Sequence, residues 1–129
     1  MDMKSLPNEE QCLGIDWGEA RIGLALGNSA VKIASPLGMA KNIEEIKIIV
    51  TKEKIERLVV GEPVNEKMND NFLKFIEDLK ASINLPLDLV DERFSSQAAD
   101  SLDRNARKEG NRDAMAAMVI LQSYFDKLG

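Results

Sequence analysis

The chain has 129 residues, a length typical of a single domain with one hydrophobic core. Apolar residues make up 44% of the chain and charged residues 30%, a composition that indicates an ordinary globular protein and excludes a disordered one. The net charge of −5 argues against nucleic-acid binding through bulk positive charge, although it leaves room for a local basic patch.

The amino-terminal residues and the cysteine content bear on organisation and compartment. Residues 1–10 are expected to form a short polar tail, and residues 11–129 a single domain. Cys12 is the only cysteine, which excludes an intrachain disulfide and favours the cytoplasm. The longest apolar run, residues 114–121, is too short to cross a bilayer, and the first residues lack the apolar stretch of a signal peptide.

The first third of the chain predicts an antiparallel meander of three strands. Residues 12–16 form an apolar run that ends in a carboxylate, and the turn after it contains Gly18, which adopts positive φ at little cost. Residues 21–26 predict a second strand, whose glycine indicates either a bulge or the close approach of another backbone. Residues 31–34 predict a third strand that is closed by Pro36.

The rest of the chain predicts helices that alternate with strands. Apolar residues at helical spacing and short β-branched runs predict helix 42–54, strand 57–61, helix 70–82, strand 85–90 and helices 96–107 and 113–128, the last two separated by a break at Gly110-Asn111. Such alternation implies parallel strands joined by right-handed crossovers. The predicted fold is therefore a mixed α/β sheet covered by helices.

The chain contains no histidine, so general bases and zinc sites built on imidazole are excluded. Four acidic residues occupy positions suited to a metal site: Asp16 ends the first strand, Asp91 and Glu92 end the last strand, and Asp113 opens the final helix. Sites in α/β sheets form beyond the carboxyl ends of strands, and converging carboxylates need a cation such as Mg²⁺ or Mn²⁺. This cluster would support metal-assisted phosphoryl displacement.

Each of these acids also has a purely structural interpretation. Asp16 precedes a glycine turn and is compatible with an Asx turn. Asp91 and Glu92 are followed by Arg93, a pattern compatible with a surface ion pair of little worth. Asp113 is equally compatible with a plain helix cap.

Further candidates surround this acidic set. Glu62 follows the fourth strand and is either an additional acid of the site or a solvated side chain. A basic cluster before the final helix is either a phosphate-binding surface or a solvated helix end; it comprises Arg104, Arg107, Lys108 and Arg112. Trp17 is suited to stacking on a base and equally to half-buried packing.

Five blocks together resemble the YqgF/RuvX-like family, described as Holliday junction resolvase-like or as a pre-16S rRNA nuclease. These blocks are LGIDWG at 13–18, RIGLA at 21–25, VVGEP at 59–63, DERFSS at 91–96 and DAMAA at 113–117. The first block alone is a weak signal, whereas the fourth followed by the fifth is much more specific. The resemblance extends over nearly the whole chain from Cys12.

The resemblance implies an RNase H-like fold with a five-stranded mixed sheet and metal-dependent hydrolysis of nucleic-acid phosphodiesters. Carried over by position, Asp16 is the central metal ligand, the Asp91-Glu92 pair supplies the second acidic group and Asp113 the third. Arg21 and Arg93 match positions that contact phosphate or orient the carboxylates.

The chain departs from the family pattern at three places. Glu62 replaces a hydrophobic residue, and related nucleases of this fold often carry an acid there. Glu66-Lys67-Met68 replaces a turn similar to Met-Asp-Gly, which puts substrate contact by that loop in doubt. Ser95-Ser96 replaces a pair of threonines and keeps the hydroxyls.

The leading hypothesis is a Mg²⁺- or Mn²⁺-dependent endonuclease acting on structured nucleic acid, namely the 5′ end of pre-16S rRNA in the small-subunit precursor. Its substrate-binding residues are Arg21, Arg93, Arg107, Lys108 and Arg112. One alternative is a Holliday junction resolvase, which would act as a homodimer. Others are a non-catalytic RNA-binding assembly factor and, because the first hairpin resembles that of sugar kinases, a nucleotide-binding module.

Overall fold

The computed structural model describes residues 9–18, 20–62, 70–91 and 109–128, with residues 109–112 described by their backbone alone. Five strands and three helices lie within these ranges. In chain order they are β1 (Gln11–Trp17), β2 (Ile22–Asn28), β3 (Ile33–Ala40), α1 (Ile43–Lys52), β4 (Arg57–Glu62), α2 (Asp70–Ser82), β5 (Leu87–Asp91) and α3 (Glu109–Lys127). None of the helices in these ranges is long and apolar enough to span a membrane.

The strands form one mixed sheet in the order β3-β2-β1-β4-β5. The first three strands pair antiparallel, whereas β4 pairs parallel with β1 and β5 pairs parallel with β4. The predicted mixed sheet is thus confirmed. Because β1, β4 and β5 run in the same direction, their carboxyl ends meet at one edge of the sheet, which we term the carboxyl edge.

Each face of the sheet buries its own cluster, because side chains alternate along a strand. Leu13 and Ile15 of β1 belong to one cluster with Phe72 of α2 and with residues of α1, and we term this side the α1–α2 face. Cys12 belongs to the other cluster with Phe125 and further residues of α3, on what we term the α3 face. The sheet is therefore a middle layer between two helical layers.

The α3 helix lies close to the sheet because small residues face it. A Cβ atom added at Gly14 would lie 2.8 Å from the Cβ of Leu121 and 2.9 Å from the carbonyl oxygen of Ala117. Both atoms belong to a helix that cannot yield without moving as a whole. A glycine at this position of β1 is therefore what lets α3 pack directly on the sheet.

The third strand differs from the prediction, since β3 spans Ile33–Ala40 and continues through Pro36. Two features of β3 explain why proline does not end it. The strand lies at an edge of the sheet, and its pairing with β2 shifts register between Leu24 and Ala25, where Pro36 pairs with Ala25. Proline is tolerated in strands at such edges and irregularities, because its missing N–H breaks no ladder bond there.

The last helix also differs from the prediction, because α3 begins at Glu109 and includes Gly110 and Asn111, where a break was expected. Their low helix propensity is a weak preference that the packing of a long helix overrides. The predicted helix 96–107 and residues 1–8 of the predicted tail lie outside the described residues. Helices α1 and α2 and strands β4 and β5 lie close to their predicted positions.

An ion-pair network lies at the end of the sheet opposite the carboxyl edge. Arg57, at the start of β4, donates from Nε to Oε1 of Glu10 at 2.7 Å and from a terminal nitrogen to Oδ2 of Asp88 at 2.9 Å. Hydrogen bonding and charge from Glu10 raise the pKa of Arg57. Cys12 is buried beside this network. The network ties residues that precede β1 to β4 and β5.

We expect the free energy of unfolding to fall as the pH rises from about 9 to about 11. Burial raises the pKa of the Cys12 thiol from 9.0 to about 11, so the folded state keeps a proton that the unfolded state loses in this range. This contribution is complete below pH 9 and is lost as the pH passes the folded pKa. Urea unfolding at a series of pH values measures the slope.

The matched variant for this prediction is Cys12→Ala, which carries no thiol. Its stability profile should be flatter between pH 9 and 11, although burial also raises the pKa of Tyr124 and leaves a residual slope. An equally steep profile in the variant would contradict the assignment to Cys12.

Candidate active site

Asp16 and Asp113 lie next to each other on the α3 face at the carboxyl edge. Asp16 pairs with Gly23 across β1 and β2, and residues directly opposite in an antiparallel pair point to the same face, with Cβ positions about 5 Å apart. Gly23 in turn lies against α3, since a Cβ added there would lie 3.1 Å from the Cβ of Asp113. Gly23 therefore lies between Asp16 on β1 and Asp113 on α3.

Gly23 shows why the second strand carries a glycine. An added Cβ would also overlap the carbonyl oxygen of Asp113, which belongs to the backbone of α3. Of the two interpretations of this glycine, the close approach of another backbone is confirmed, and the irregularity of β2 lies one residue further on, between Leu24 and Ala25.

Arg21 fixes the carboxylate of Asp113. Its Nε donates to Oδ2 of Asp113 at 2.8 Å, with the arginine side chain 36% and the aspartate side chain 24% exposed. Asp113 is the fifth residue of α3, so the alternative of a helix cap is wrong, because a cap would precede Glu109. The carboxylate is held instead by Arg21, which directly precedes β2.

Glu62 and Asp91 form a second acidic pair at the carboxyl edge. The last residues of β4 and β5 lie side by side, with Glu62 paired to Asp91 in the parallel register. Strand alternation gives Glu62 the same side as Val60, which packs in the α1–α2 cluster. Asp91 likewise lies on the same face of β5 as Leu87, which packs against the α1–α2 cluster. Its neighbour Val90 lies on the opposite face and packs in the α3 cluster. By this alternation the pair belongs to the α1–α2 face, and Asp16 to the α3 face.

Comparison with known families identifies the chain. A profile described as the RuvX Holliday junction resolvase family matches residues 10–127. The chain belongs to the RuvX family.

This chain aligns with most of the length of its RuvX-family relatives. A protein of Cupriavidus metallidurans named "Putative pre-16S rRNA nuclease" is 37% identical, over 97% of this chain and 92% of its own. A protein with the same name from Chloroflexus aggregans is 33% identical, over 92% of this chain and 95% of its own. Another from Rickettsia africae is 34% identical, over 90% of this chain and 86% of its own.

Solved structures establish the fold of this RuvX-family protein. The Fowlpox virus resolvase in complex with Holliday junction DNA superposes with a TM-score of 0.60 at 12% identity, covering 92% of this chain and 98% of that one. Thermus thermophilus RuvC in complex with a Holliday junction substrate superposes with a TM-score of 0.59 at 17% identity, covering 93% and 96%. The expected RNase H-like fold, with its five-stranded mixed sheet, is confirmed.

Several predicted site residues of this RuvX-family chain lie outside the described residues. These are Glu92, Arg93, Arg107 and Lys108, while Arg112 is described by its backbone alone within α3. Within the described ranges, no group of three or more acidic or cysteine side chains is arranged to hold a metal ion. The described part of the site is therefore the pair Asp16 and Asp113 with Arg21.

The resemblance implied that Arg21 contacts phosphate or orients the carboxylates, and the structure pairs it with Asp113. Which carboxylate it contacts could not be predicted from the sequence, because Arg21 and Asp113 are 92 positions apart and no local pattern joins them. The glycines facing α3 were a further signal, since a glycine inside an apolar strand marks a close approach.

We expect Arg21→Gln to lower the rate of nucleic-acid cleavage by about 10- to 100-fold, the effect typical of losing a partner that orients a metal-binding carboxylate. The melting temperature should change little, because the Arg21–Asp113 pair is partly exposed. Single-turnover kinetics separate the two roles of Arg21: a lower rate of the chemical step indicates orientation of Asp113, whereas a higher dissociation constant of the substrate indicates phosphate contact. Lys52→Gln, at an exposed site on α1, is the control, and an unchanged rate for Arg21→Gln would contradict both roles.

Proposed function

We propose that this protein is a metal-dependent endonuclease that hydrolyses phosphodiester bonds and processes the 5′ end of pre-16S rRNA during ribosome biogenesis in the cytoplasm. The observation that carries the proposal is the placement of Asp16 and Asp113 side by side at the carboxyl edge, with Asp113 held by Arg21. Carboxylates that converge on one site are favoured when a cation neutralises their charge. The names of the full-length relatives supply the substrate.

The donor set fits Mg²⁺ or Mn²⁺, because both available groups are carboxylates and oxygen ligands suit these hard cations. Asp16 and Asp113 would hold the ion, with one further acid from the Asp91-Glu92 pair. We favour Glu92 as that acid, because Asp91 belongs by strand alternation to the α1–α2 face. When bound, the metal would supply an activated water and charge to balance the reacting phosphate.

The remaining residues have supporting roles in the proposal. Arg21 keeps Asp113 in one orientation. Glu62, which pairs with Asp91 at the same edge, is an additional acid near the site. Contacts to the phosphates of the substrate are assigned to Arg93, Arg107, Lys108 and Arg112, which are cations that precede or open α3.

A second candidate function is resolution of four-way DNA junctions. It is favoured by the superposition on two resolvases whose structures contain Holliday junction DNA. Symmetric cutting of two strands requires a homodimer, whereas processing of a single rRNA end is compatible with a monomer. The oligomeric state in solution therefore bears directly on this alternative.

The deciding experiment compares two substrates at low salt, first with Mn²⁺ and then with Mg²⁺. One substrate is an RNA that spans the mature 5′ end of small-subunit rRNA, and the other is a DNA four-way junction. Cleavage of the RNA alone is the expected result. Cleavage of the junction alone would replace the proposal with the resolvase function, and cleavage of neither would favour a non-catalytic RNA-binding factor.

A further inference from the structure

A groove of about 610 Å³ opens on the α1–α2 face of the sheet, next to the candidate active site. Its apolar lining includes Trp17, Ile22 and Phe75. Lys41, before α1, and Lys74, on α2, are exposed side chains that line the same groove. The volume lies within the range of roughly 300–1,000 Å³ that is usual for pockets holding small organic ligands.

Trp17 is held firmly in this groove. Its ring meets Phe72 edge-on at a centroid distance of 5.7 Å and 64°, and meets Phe75 at 6.2 Å and 33°. The half-buried packing expected of Trp17 is thus present, yet the side chain also lines the groove. A ring that packs against two aromatic neighbours and also lines an open groove is pre-organised to stack with a planar ligand, since little rotamer freedom is lost on binding.

The groove and the acidic pair lie on opposite faces of the same strand end. Trp17 directly follows Asp16 in β1, so their Cα atoms are about 3.8 Å apart while their side chains alternate between faces. A nucleic-acid strand crossing the carboxyl edge would thus have a phosphate at Asp16 and Asp113 and a neighbouring base within reach of Trp17.

The charge of the groove suits a base rather than a run of phosphates. The two lysines are matched by Glu44 and Asp78, which also line the groove, so its net charge is close to zero. The amide residues Asn42 and Asn71 add hydrogen-bonding groups of the kind that read base edges. Of these, Asn42 uses its side-chain oxygen to cap α1, accepting from the backbone N–H of Glu45 at 3.0 Å.

We propose that this groove binds one unpaired nucleobase of the substrate, stacked on Trp17, beside the phosphodiester bond that is cut. The proposal rests on the proposed nuclease function for the identity of the ligand. Stacking on an aromatic ring tolerates every base, because each base has a π-face. The groove therefore selects substrates with an unpaired nucleotide next to the cut over fully paired duplexes.

Trp17 is the only tryptophan of the chain, so selectively excited tryptophan fluorescence reports on the surroundings of this ring. The wild-type protein, with divalent ions chelated, is titrated with a short single-stranded oligoribonucleotide and with the same sequence in a blunt duplex. We expect saturable quenching by the single strand and little quenching by the duplex. Equal quenching by both, or none by either, would overturn the proposal.

Variants test the same point by affinity, measured from the anisotropy of a labelled oligonucleotide. Trp17→Leu should weaken binding of the single strand by about 5- to 150-fold, the range reported for loss of one stacked base. Trp17→Phe keeps an aromatic ring against Phe72 and should retain most of the affinity, which separates stacking from folding. Lys74→Gln should weaken binding more than Lys80→Gln, because Lys80 is an exposed residue of α2 that does not line the groove. Equal affinity of Trp17→Leu and wild type would contradict the proposal.

The two proposals fail in distinguishable ways. If wild type cleaves RNA and Trp17 fluorescence does not respond to the single strand, the groove proposal is wrong and the nuclease function stands. If the single strand quenches Trp17 and no substrate is cleaved with either metal, the groove binds nucleic acid and the nuclease function is wrong.

Discussion

Asp16→Asn should abolish metal-dependent cleavage of nucleic acid and leave the fold intact. Asparagine has the shape of aspartate and lacks its negative charge, so the pairing of β1 with Gly23 is kept while a proposed metal ligand is weakened. A bound metal contributes several kcal/mol to stabilising the charge of the transition state. We therefore expect the rate to fall by at least about 10³-fold, since each 1.36 kcal/mol corresponds to a factor of ten.

A thermal shift provides a measurement for Asp16→Asn that does not depend on activity. At a concentration of one hundred times its dissociation constant, Mn²⁺ should stabilise the wild-type protein by about 2.7 kcal/mol, and it should stabilise the variant much less. Without metal, the variant and the wild type should have similar stability, because asparagine keeps the shape of the aspartate side chain and β1 keeps its pairing with Gly23.

The control for this variant is Asp126→Asn, in the last turn of α3, where the carboxylate accepts only a 3.3 Å hydrogen bond from Gln122 among the described contacts. Its cleavage rate should stay within about twofold of wild type, as is usual for surface substitutions. Full activity of Asp16→Asn would show that the candidate site is assigned wrongly.

Gly23→Ala should destabilise the protein and inactivate it at the same time. The added methyl group would overlap the carbonyl oxygen of Asp113, so α3 must move away from the sheet. Overpacking of this kind costs about 1–3 kcal/mol, and we expect the upper part of this range because the atom displaced is backbone. The same movement carries Asp113 away from Asp16 and Arg21, so cleavage should fall even in the molecules that remain folded.

Urea unfolding and cleavage assays below the unfolding transition measure these two effects separately. Ser35→Ala, an exposed position on the edge strand β3, is a change of similar size that should alter stability by no more than about 0.5 kcal/mol. Wild-type stability and activity in Gly23→Ala would mean that α3 does not approach the sheet as closely as the structure indicates.

Most of the sheet and of α1 and α2 could be predicted because local pattern and tertiary environment agree there. The helix predicted at 70–82 has those bounds in the structure, since its apolar residues face one cluster and its polar residues face solvent. The path of β3 could not be predicted, because the effect of Pro36 depends on an edge position that local sequence does not reveal. The start of α3 was missed for a related reason, since Gly110 and Asn111 are held in a long helix whose packing outweighs their propensities.

The candidate site was predictable to the extent that it follows from topology. Acids at the ends of parallel strands must lie at one edge, and this rule places Asp16, Glu62 and Asp91 at the carboxyl edge. The face to which each side chain points depends on register. By strand alternation, Asp16 belongs to the α3 face and Asp91 to the α1–α2 face. This difference between the two faces can be seen only once the pairing of the strands is known.

The packing of α3 on the sheet has a consequence for biosynthesis. All five strands are made before α3, so the surface formed by Cys12, Ala25 and Val59 is not yet covered by α3 while the ribosome is still adding the last part of the chain. At about 5–20 residues per second, this apolar surface is exposed for a second or more after β5 is complete. Throughout that interval Asp113 is not yet in place beside Asp16 and Arg21, so the candidate site is assembled only when α3 packs on the sheet.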